Sequence, residues 1–134
     1  YCYHLDLHSF PTRRSSDLIT DHFSSAHYLR EYQGSCEKLH GHTWRVEVAV
    51  SSGVLDRIGI AVDFRDLKSK LKGMVEKWDH VCLNDLPEFK AMNPSTENMA
   101  RWLYQEFAKD LPRDVSMTYV RVWESDSASV RYSE

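Results

Sequence analysis

The 134-residue chain is 42% hydrophobic and 28% charged, a length and composition that suit one domain with its own core. Its formal net charge is -3 and it has no long run of like charges, so the charge pattern does not indicate nucleic acid or an acidic membrane as a partner. The three cysteines are widely spaced and odd in number, which argues against a disulfide framework and favours a reducing compartment. We therefore expect a cytoplasmic protein with a small-molecule partner, and neither a nucleic acid nor a membrane partner.

The first 18 residues differ in character from the rest of the chain. The run HSFPTRRSSDL, residues 8–18, has no hydrophobic period, and its reverse translation resembles a sequencing-library adapter read in frame. Segments of foreign origin are left out of fold analysis. We expect residues 1–18 to be non-native and residues 19–134 to form a single domain.

Two strands are predicted in the first half of the chain. Residues 19–28 are short, mixed and tolerant of β-structure, whereas residues 43–50, TWRVEVAV, alternate apolar and polar side chains as a half-buried strand does. The polar connection between them contains two glycines. This pattern favours an antiparallel pair joined by a long loop.

Two amphipathic helices and a hairpin follow. In residues 63–78 the apolar side chains recur at steps of three and four, and Asp63 is suited to cap the start. A second helix is predicted to begin after Ser95 and to end before Pro112. Residues 115–125 and 128–133 are rich in β-branched and aromatic side chains, which predicts a closing hairpin.

The predicted order of elements is ββααββ. Because strands and helices do not alternate, the order indicates an α+β fold in which a four-stranded antiparallel sheet carries two helices on one face. The edge strands of such a sheet are exposed unless they are covered or paired. We therefore expect the chain to assemble with further copies of itself.

His27, His40 and His42 are candidate metal ligands. Side chains two apart in an extended segment point the same way, and antiparallel pairing can return His27 to the same spot. Three neutral imidazoles leave a tetrahedral zinc ion one open position, as in catalytic sites. A regular strand would place His40 and His42 on the face of Trp44, unless a bulge at Gly41 altered this. The alternative is a chance grouping among seven histidines.

Four further residues are candidates for chemistry. Cys36 lies in a polar loop, where a nearby cation would lower the thiol pKa from ~8.5; the alternative is a small buried residue. Asp79 can orient His80 for acid–base work, although a histidine near a helix end is often only a dipole partner. Glu124 ends an apolar strand and can accept paired hydrogen bonds from a guanidine-like heterocycle edge, or is simply solvated.

The chain also contains six short segments that are specific in combination: FSSAHYL, CEKLHGHTWRVEV, VDFRDLK, WDHVCLND, NPSTENMARWL and VRVWES. In this order and at this spacing they resemble the 6-pyruvoyl-tetrahydropterin synthase and 6-carboxytetrahydropterin synthase family, over about residues 19–132. The resemblance implies the tunnelling fold (T-fold), in which trimers of ββααββ subunits close their sheets into a barrel. Two trimers then stack into a homohexamer.

The resemblance implies a role for each candidate residue. It implies that Zn²⁺ is the cofactor and that the substrate is a pterin triphosphate. The implied assignments are metal binding by His27, His40 and His42, a catalytic thiol at Cys36, a second acid–base pair at Asp79 and His80, and anchoring of the pterin ring by Glu124.

The spacing C-x-x-x-H-G-H resembles the 6-carboxytetrahydropterin synthases of queuosine and deazapurine biosynthesis, whereas the biopterin-forming synthases have a longer insert. The resemblance thus implies a zinc-dependent lyase that converts 7,8-dihydroneopterin triphosphate to 6-carboxy-5,6,7,8-tetrahydropterin, acetaldehyde and triphosphate. Three alternatives remain: a synthase with a 6-pyruvoyl-tetrahydropterin product, a non-catalytic zinc-binding interaction module, and a metal-free pterin aldolase on the same fold.

Overall fold

The fold is seen in a computed structural model that describes residues 14–32, 34 and 38–134. The predicted thiol, Cys36, lies outside the described residues, as does most of the segment 1–18. The main elements in chain order are β1 (Ser15–His27), β2 (His40–Ser52), α1 (Phe64–Val75), α2 (Thr96–Phe107), β3 (Val115–Ser125) and β4 (Ala128–Tyr132).

The four strands form one antiparallel sheet in the order β1-β2-β3-β4. The predicted α+β architecture, with two helices against one face of the sheet, is confirmed. Pairing of β1 with β2 runs without a break from Ser15 opposite Ser52 to His27 opposite His40. Both strands are therefore longer than the sequence predicted, because backbone pairing between β1 and β2 extends each strand beyond its predicted end. The origin of residues 1–18 stays a prediction.

The core lies between the sheet and the helices. Trp44, Val46 and Val48 alternate along β2 with more exposed residues and are almost fully buried. The Phe23 ring of β1 stacks on Trp44 with ring centroids 6.2 Å apart. This inner face packs against the apolar stripes of the helices, of which Leu67, Leu71, Val75, Met99, Leu103 and Phe107 are buried.

Both predicted helix caps are present. Asp63 Oδ1 accepts a 2.8 Å hydrogen bond from Arg65 N, and Ser95 Oγ accepts a 3.1 Å bond from Asn98 N. Caps of this kind typically stabilise a helix by about 1 kcal/mol. Lys70 on α1 donates to the carbonyl of Phe107 at 2.7 Å, which ties α1 to the end of α2. No helix among the described residues has both the length and the apolar surface needed to cross a membrane.

The first helix ends earlier than predicted. After Val75 the chain tightens into a 3₁₀ turn, Glu76–Trp78, which carries the Trp78 ring into the core. That ring meets Phe23 edge-on at 5.7 Å, and its Nε1–H donates to Glu88 at 3.0 Å. The turn thereby fixes the start of the segment that follows it.

Residues 79–82 run along the outer edge of β1. His80 N donates to Ser24 O at 2.6 Å, and Ala26 N donates to Val81 O at 3.0 Å. The end of β1 is thus covered on the side that does not face β2. This contact places residues 79–82 beside the strand that carries His27.

Candidate metal centre

The three predicted histidines meet where β1 ends and β2 begins. The register between these strands is unbroken at Gly41, so the bulge that the sequence suggested there is absent. His40 and His42 therefore lie on the same face as Trp44, and the His42 ring is 5.0 Å from the Trp44 ring. The histidines end the buried face of the sheet, at the border of the core.

The metal-binding atoms of this cluster converge. His27 Nε2 lies 3.1 Å from His40 Nε2, and His42 Nε2 lies 3.0 Å from Glu124 Oε1. One ligand atom from each of these four residues falls within 4.8 Å of every other. The sequence assigned Glu124 only to a heterocycle, whereas the end of β3 brings its carboxylate into the histidine cluster.

Backbone carbonyls fix the orientation of two of the rings. His27 Nδ1 is 2.7 Å from Pro94 O, and His40 Nδ1 is 2.6 Å from Lys38 O. A carbonyl oxygen only accepts, so each Nδ1 must carry the proton. In neutral rings each Nε2 then presents a lone pair to the other at 3.1 Å, an arrangement that a bound cation would stabilise.

Burial favours the neutral form of two rings of this cluster. Desolvation lowers the pKa of His27 below 6.5, with the neighbouring imidazoles acting in the same direction and the hydrogen bond to Pro94 opposing it. Desolvation likewise lowers the pKa of His42, against the attraction of Glu124. At neutral pH these two imidazoles are therefore free of the second proton that would block metal binding.

The residues present fit a zinc ion. Three imidazole nitrogens with one carboxylate oxygen form a donor set typical of zinc, and two nitrogens bound to a tetrahedral ion at ~2.0 Å lie about 3.3 Å apart. The observed nitrogen pair is close to that separation, at 3.1 Å. Nε2 of His42 is buried and makes no hydrogen bond of acceptable geometry, although Glu124 is near. A buried nitrogen without a partner is costly unless a cation engages it.

Asp79 and His80 are in hydrogen-bond contact beside the cluster. Asp79 Oδ2 lies 2.9 Å from His80 Nδ1, and Asp79 Oδ1 accepts the Ser24 N–H at 2.9 Å. The Ser24 bond and, next, the His80 contact lower the pKa of Asp79. The His80 side chain is 81% exposed, and its backbone is left-handed with φ of 56°. The carboxylate therefore orients an imidazole that remains open to a substrate.

An open depression of about 610 Å³ connects the two groups on the surface of the chain. Its lining includes His42, His80, Ser24, Gly41 and Thr43. Ser24 and Thr43 are bonded to each other through their hydroxyls, 3.1 Å apart. Small side chains on adjacent strands thus leave room between the histidine cluster and the acid–base pair.

The carbonyls that orient His27 and His40 were missed by the sequence analysis. Polar residues lie beside Pro94 and Lys38 in the sequence, but nothing in either side chain indicates that the backbone carbonyl has a role. A backbone carbonyl is available at every residue, so only the three-dimensional structure selects the two that matter.

Comparison with known proteins places this chain in a family. The family described as 6-pyruvoyl tetrahydropterin synthase matches residues 18–134. A dihydroneopterin monophosphate aldolase of Pyrococcus furiosus is 35% identical over 108 residues, which cover 81% of this chain and 88% of that protein. A 6-carboxy-5,6,7,8-tetrahydropterin synthase of Bacillus subtilis is 38% identical over 88 residues, covering 62% of this chain and 58% of that protein.

The fold has solved relatives as well. The structure of 6-pyruvoyl tetrahydropterin synthase from Caenorhabditis elegans superposes with a TM-score of 0.81 at 21% identity, and the match covers 90% of this chain and 96% of that one. At this identity the likeness concerns the fold alone. It confirms the tunnelling fold that the six motifs predicted.

We predict that the Asp79 carboxyl titrates below its ordinary value of 3.8. Its folded-state pKa is depressed, so the stability that it contributes is present above pH 3.8 and is lost as the pH falls through the folded value. Side-chain carboxyl NMR during an acid titration measures the midpoint. In His80→Gly, which removes the imidazole and tolerates the left-handed backbone, the midpoint should rise yet stay below 3.8, because the Ser24 bond remains. A midpoint at or above 3.8 in the unsubstituted protein would contradict the assigned contacts.

Proposed function

Because the chain belongs to the 6-pyruvoyl tetrahydropterin synthase family, we propose that it is a 6-carboxy-5,6,7,8-tetrahydropterin synthase. On this proposal it converts 7,8-dihydroneopterin triphosphate and one water molecule to 6-carboxytetrahydropterin, acetaldehyde and triphosphate, as a lyase of queuosine or deazapurine biosynthesis. The convergence of three imidazoles and a carboxylate at the end of β1, β2 and β3 carries the proposal. The short C-x-x-x-H-G-H spacing and the Bacillus subtilis relative favour this branch of the family.

We propose that His27, His40 and His42 hold a zinc ion. The two Nδ1 contacts to carbonyls support this role, because they leave Nε2 of His27 and of His40 free to bind a metal. Bound zinc would polarise the side-chain oxygens of the substrate and make the adjacent C–H group more acidic. The alternative of a metal-free aldolase would leave the facing Nε2 atoms of His27 and His40 without a shared metal ion.

Proton transfer is assigned to two further groups. We propose that Cys36, which lies outside the described residues, removes a proton from the substrate side chain as a thiolate. His80 would return or remove a proton on the other side of the substrate, with Asp79 stabilising the charged ring. The exposure of His80 supports this assignment, since the ring is accessible to a ligand.

Glu124 has two roles open to it, and we propose the one that binds the pterin. Its carboxylate is partly exposed, with 35% of the side chain accessible, so one oxygen can accept hydrogen bonds from the amino-pyrimidine edge. Such paired, charge-assisted bonds position the ring relative to the histidines. The competing role is that of a fourth metal ligand, which the 3.0 Å approach to His42 Nε2 would allow.

We also propose a homohexamer built from two trimers. Among the described residues, partners of the outward backbone groups of β1 are found at Ser24, at Ala26 and at His22, whose N–H donates to the adjacent Asp21 carboxylate at 2.8 Å. Residues 15–21 of that edge are left for another chain. The outer edge of β4 lies at the other side of the sheet. Strand pairing between these two edges in neighbouring copies would close the sheets into a ring and bury both edges.

A second candidate function follows from the Pyrococcus furiosus relative, which is a dihydroneopterin monophosphate aldolase. An aldolase and a carboxytetrahydropterin synthase both cleave a carbon–carbon bond of the pterin side chain. They differ in the fragment released, since only the synthase reaction expels both triphosphate and acetaldehyde. Product analysis therefore separates the two.

We predict that zinc-loaded protein releases acetaldehyde from 7,8-dihydroneopterin triphosphate and forms 6-carboxytetrahydropterin. Mass spectrometry of the products measures this. Turnover without acetaldehyde would instead indicate a 6-pyruvoyl product, and cleavage of the monophosphate alone would indicate the aldolase. Cys36→Ala should retain zinc but lose turnover by about 10²–10⁴-fold, the usual contribution of a proton-transfer group. Cys2→Ala, a matched loss of a thiol within the segment that the sequence predicts to be non-native, should leave the rate unchanged.

We predict that Glu124→Gln raises KM by about tenfold or more, because a neutral amide cannot replace the paired charge-assisted bonds. Zinc content should stay at one ion per chain by elemental analysis. Asp126→Asn, the same acid-to-amide change in the exposed turn after β3, is the control. If Glu124→Gln lost zinc while KM held, the carboxylate would be a metal ligand rather than the pterin anchor.

We predict an assembly of six times the 15.7 kDa chain mass, measured by size-exclusion chromatography with light scattering. Thr20→Pro tests the proposed edge. Alternate residues of β1 face outward, as Ser24 does, so proline at position 20 removes an outward N–H without breaking the ladder to β2. The variant should dissociate while the circular dichroism of the chain is retained. An unchanged assembly in Thr20→Pro would rule out pairing through this part of β1.

A further inference from the structure

Two asparagine side chains bond the backbone directly after His27. Asn84 Oδ1 accepts from Tyr28 N at 3.0 Å, and Asn84 Nδ2 donates to Tyr28 O at 2.9 Å. Asn93 Oδ1 accepts from Arg30 N at 2.9 Å, and Asn93 Nδ2 donates to Arg30 O at 3.1 Å. A side-chain amide offers the same donor and acceptor as a peptide group, so each asparagine replaces a neighbouring strand.

These bonds continue a series on the outer edge of β1. Ser24 and Ala26 are held by residues 79–82, and Tyr28 and Arg30 are held by the two asparagines. Residues 24, 26, 28 and 30 are therefore each held by bonds from segments other than β2. His27 lies inside this series, so its backbone has restraints before and after it.

Asn93 also determines where the partner of His27 lies. The next residue is Pro94, whose carbonyl accepts the His27 Nδ1–H at 2.7 Å. The Asn93 carbonyl is itself held by Asn98 Nδ2 at 2.9 Å, and Asn98 N is bonded to Ser95 Oγ. Asn93 thus connects Arg30, three residues after His27, to Pro94, which follows Asn93 directly. The cap of α2 restrains the turn that contains Pro94.

The Arg30 side chain holds the loops that carry both asparagines. Its guanidinium donates to Phe89 O at 2.8 Å, and to Asn84 O and Met92 O at 3.3 Å each. Three carbonyls share one cation, which is the kind of arrangement that keeps irregular backbone in place. The distance from Pro94 to His27 is therefore set by a small network and not by strand pairing.

We propose that Asn93 is a positioning residue for the metal centre: its two bonds to Arg30 set Pro94 O against His27 Nδ1, which keeps the proton on Nδ1 and leaves Nε2 as the metal-binding atom. The inference deepens the proposed zinc site and rests on it. Neither asparagine touches a reacting atom, and both act through His27. Asn84 is buried and 2% exposed, so its loss would also disturb the core. Asn93 is half-buried, and its side chain makes its two hydrogen bonds to the backbone of Arg30.

The test compares Asn93→Ala with Tyr119→Phe in the full chain. Tyr119 donates a 2.9 Å hydrogen bond to Glu47 on the other face of the sheet, so its loss removes a bond of similar length with no connection to His27. Zinc affinity is measured by competition with a chelator, and the melting temperature is recorded without metal. Loss of a group that orients a metal-bound histidine typically weakens binding by 10- to 100-fold. We expect Asn93→Ala to weaken zinc binding about tenfold and Tyr119→Phe to leave it within about twofold.

A second readout does not depend on metal. In the metal-free protein, ¹⁵N NMR of the imidazoles reports which nitrogen of His27 carries the proton and how fast that proton exchanges. We expect a protected Nδ1 proton in the unsubstituted protein and in Tyr119→Phe, and faster exchange or a mixture of tautomers in Asn93→Ala.

The outcomes are distinguishable from a failure of the proposed function. If the unsubstituted chain binds no zinc, the proposed metal centre fails, and the NMR comparison still decides whether Asn93 positions His27. If Asn93→Ala melts earlier but keeps both zinc affinity and the protected proton, the positioning role is overturned. If Asn93→Ala does not fold, Asn93→Asp is used, because it keeps the shape and the bond from Arg30 N but replaces the donor to Arg30 O by a carboxylate oxygen, which repels that carbonyl.

Discussion

The unbroken antiparallel register of β1 and β2 is the constraint on which the candidate site depends. It ends with His27 opposite His40, so the last pair of the ladder is a pair of imidazoles, and His42 follows on the same face. One shift of register would turn these rings to opposite faces of the sheet and disperse them. The core residues Phe23 and Trp44, stacked a few residues away, hold the register by their burial. The same residue pairs between β1 and β2 therefore determine both the packing of the core and the position of the three histidines.

The histidine cluster brings together polar groups that a bound cation would satisfy. Two Nε2 lone pairs face each other, a third nitrogen is buried without a hydrogen bond, and burial opposes protonation of His27 and His42. The same features favour metal binding, because little reorganisation remains once the rings are fixed. A polar network at the border of the core is tolerated here since the carbonyls of Pro94 and Lys38 satisfy the outer nitrogens.

Much of the fold follows from sequence patterns, and the reasons are local. The two helices show their apolar period and their caps Asp63 and Ser95 directly in the sequence, and both caps occur as predicted. The length of β2 did not follow, because residues 40–42 become strand only through pairing with the end of β1. The early end of α1 did not follow either: the periodic pattern runs on to Trp78, whereas burial of that ring tightens the last turn.

The convergence of the three histidines could be inferred from alternation, but the carbonyls and amides that orient His27 could not, since their partners are distant in sequence. The place of Cys36 relative to the cluster stays a prediction.

The left-handed backbone at His80 affects how substitutions there can be interpreted. Residues with a β-carbon pay about 1–2 kcal/mol for this conformation, and asparagine, aspartate and histidine adopt it more readily than most. Because the amide of His80 is bonded to Ser24, a strained replacement would pull on β1 itself, near the metal-binding strand end. Alanine at position 80 would therefore combine the loss of an imidazole with a backbone effect, whereas asparagine would come closer to isolating the proton-transfer role. The residue at position 80 must both adopt a left-handed backbone and carry a side chain suited to proton transfer, and these two requirements limit the side chains that a natural variant could carry there.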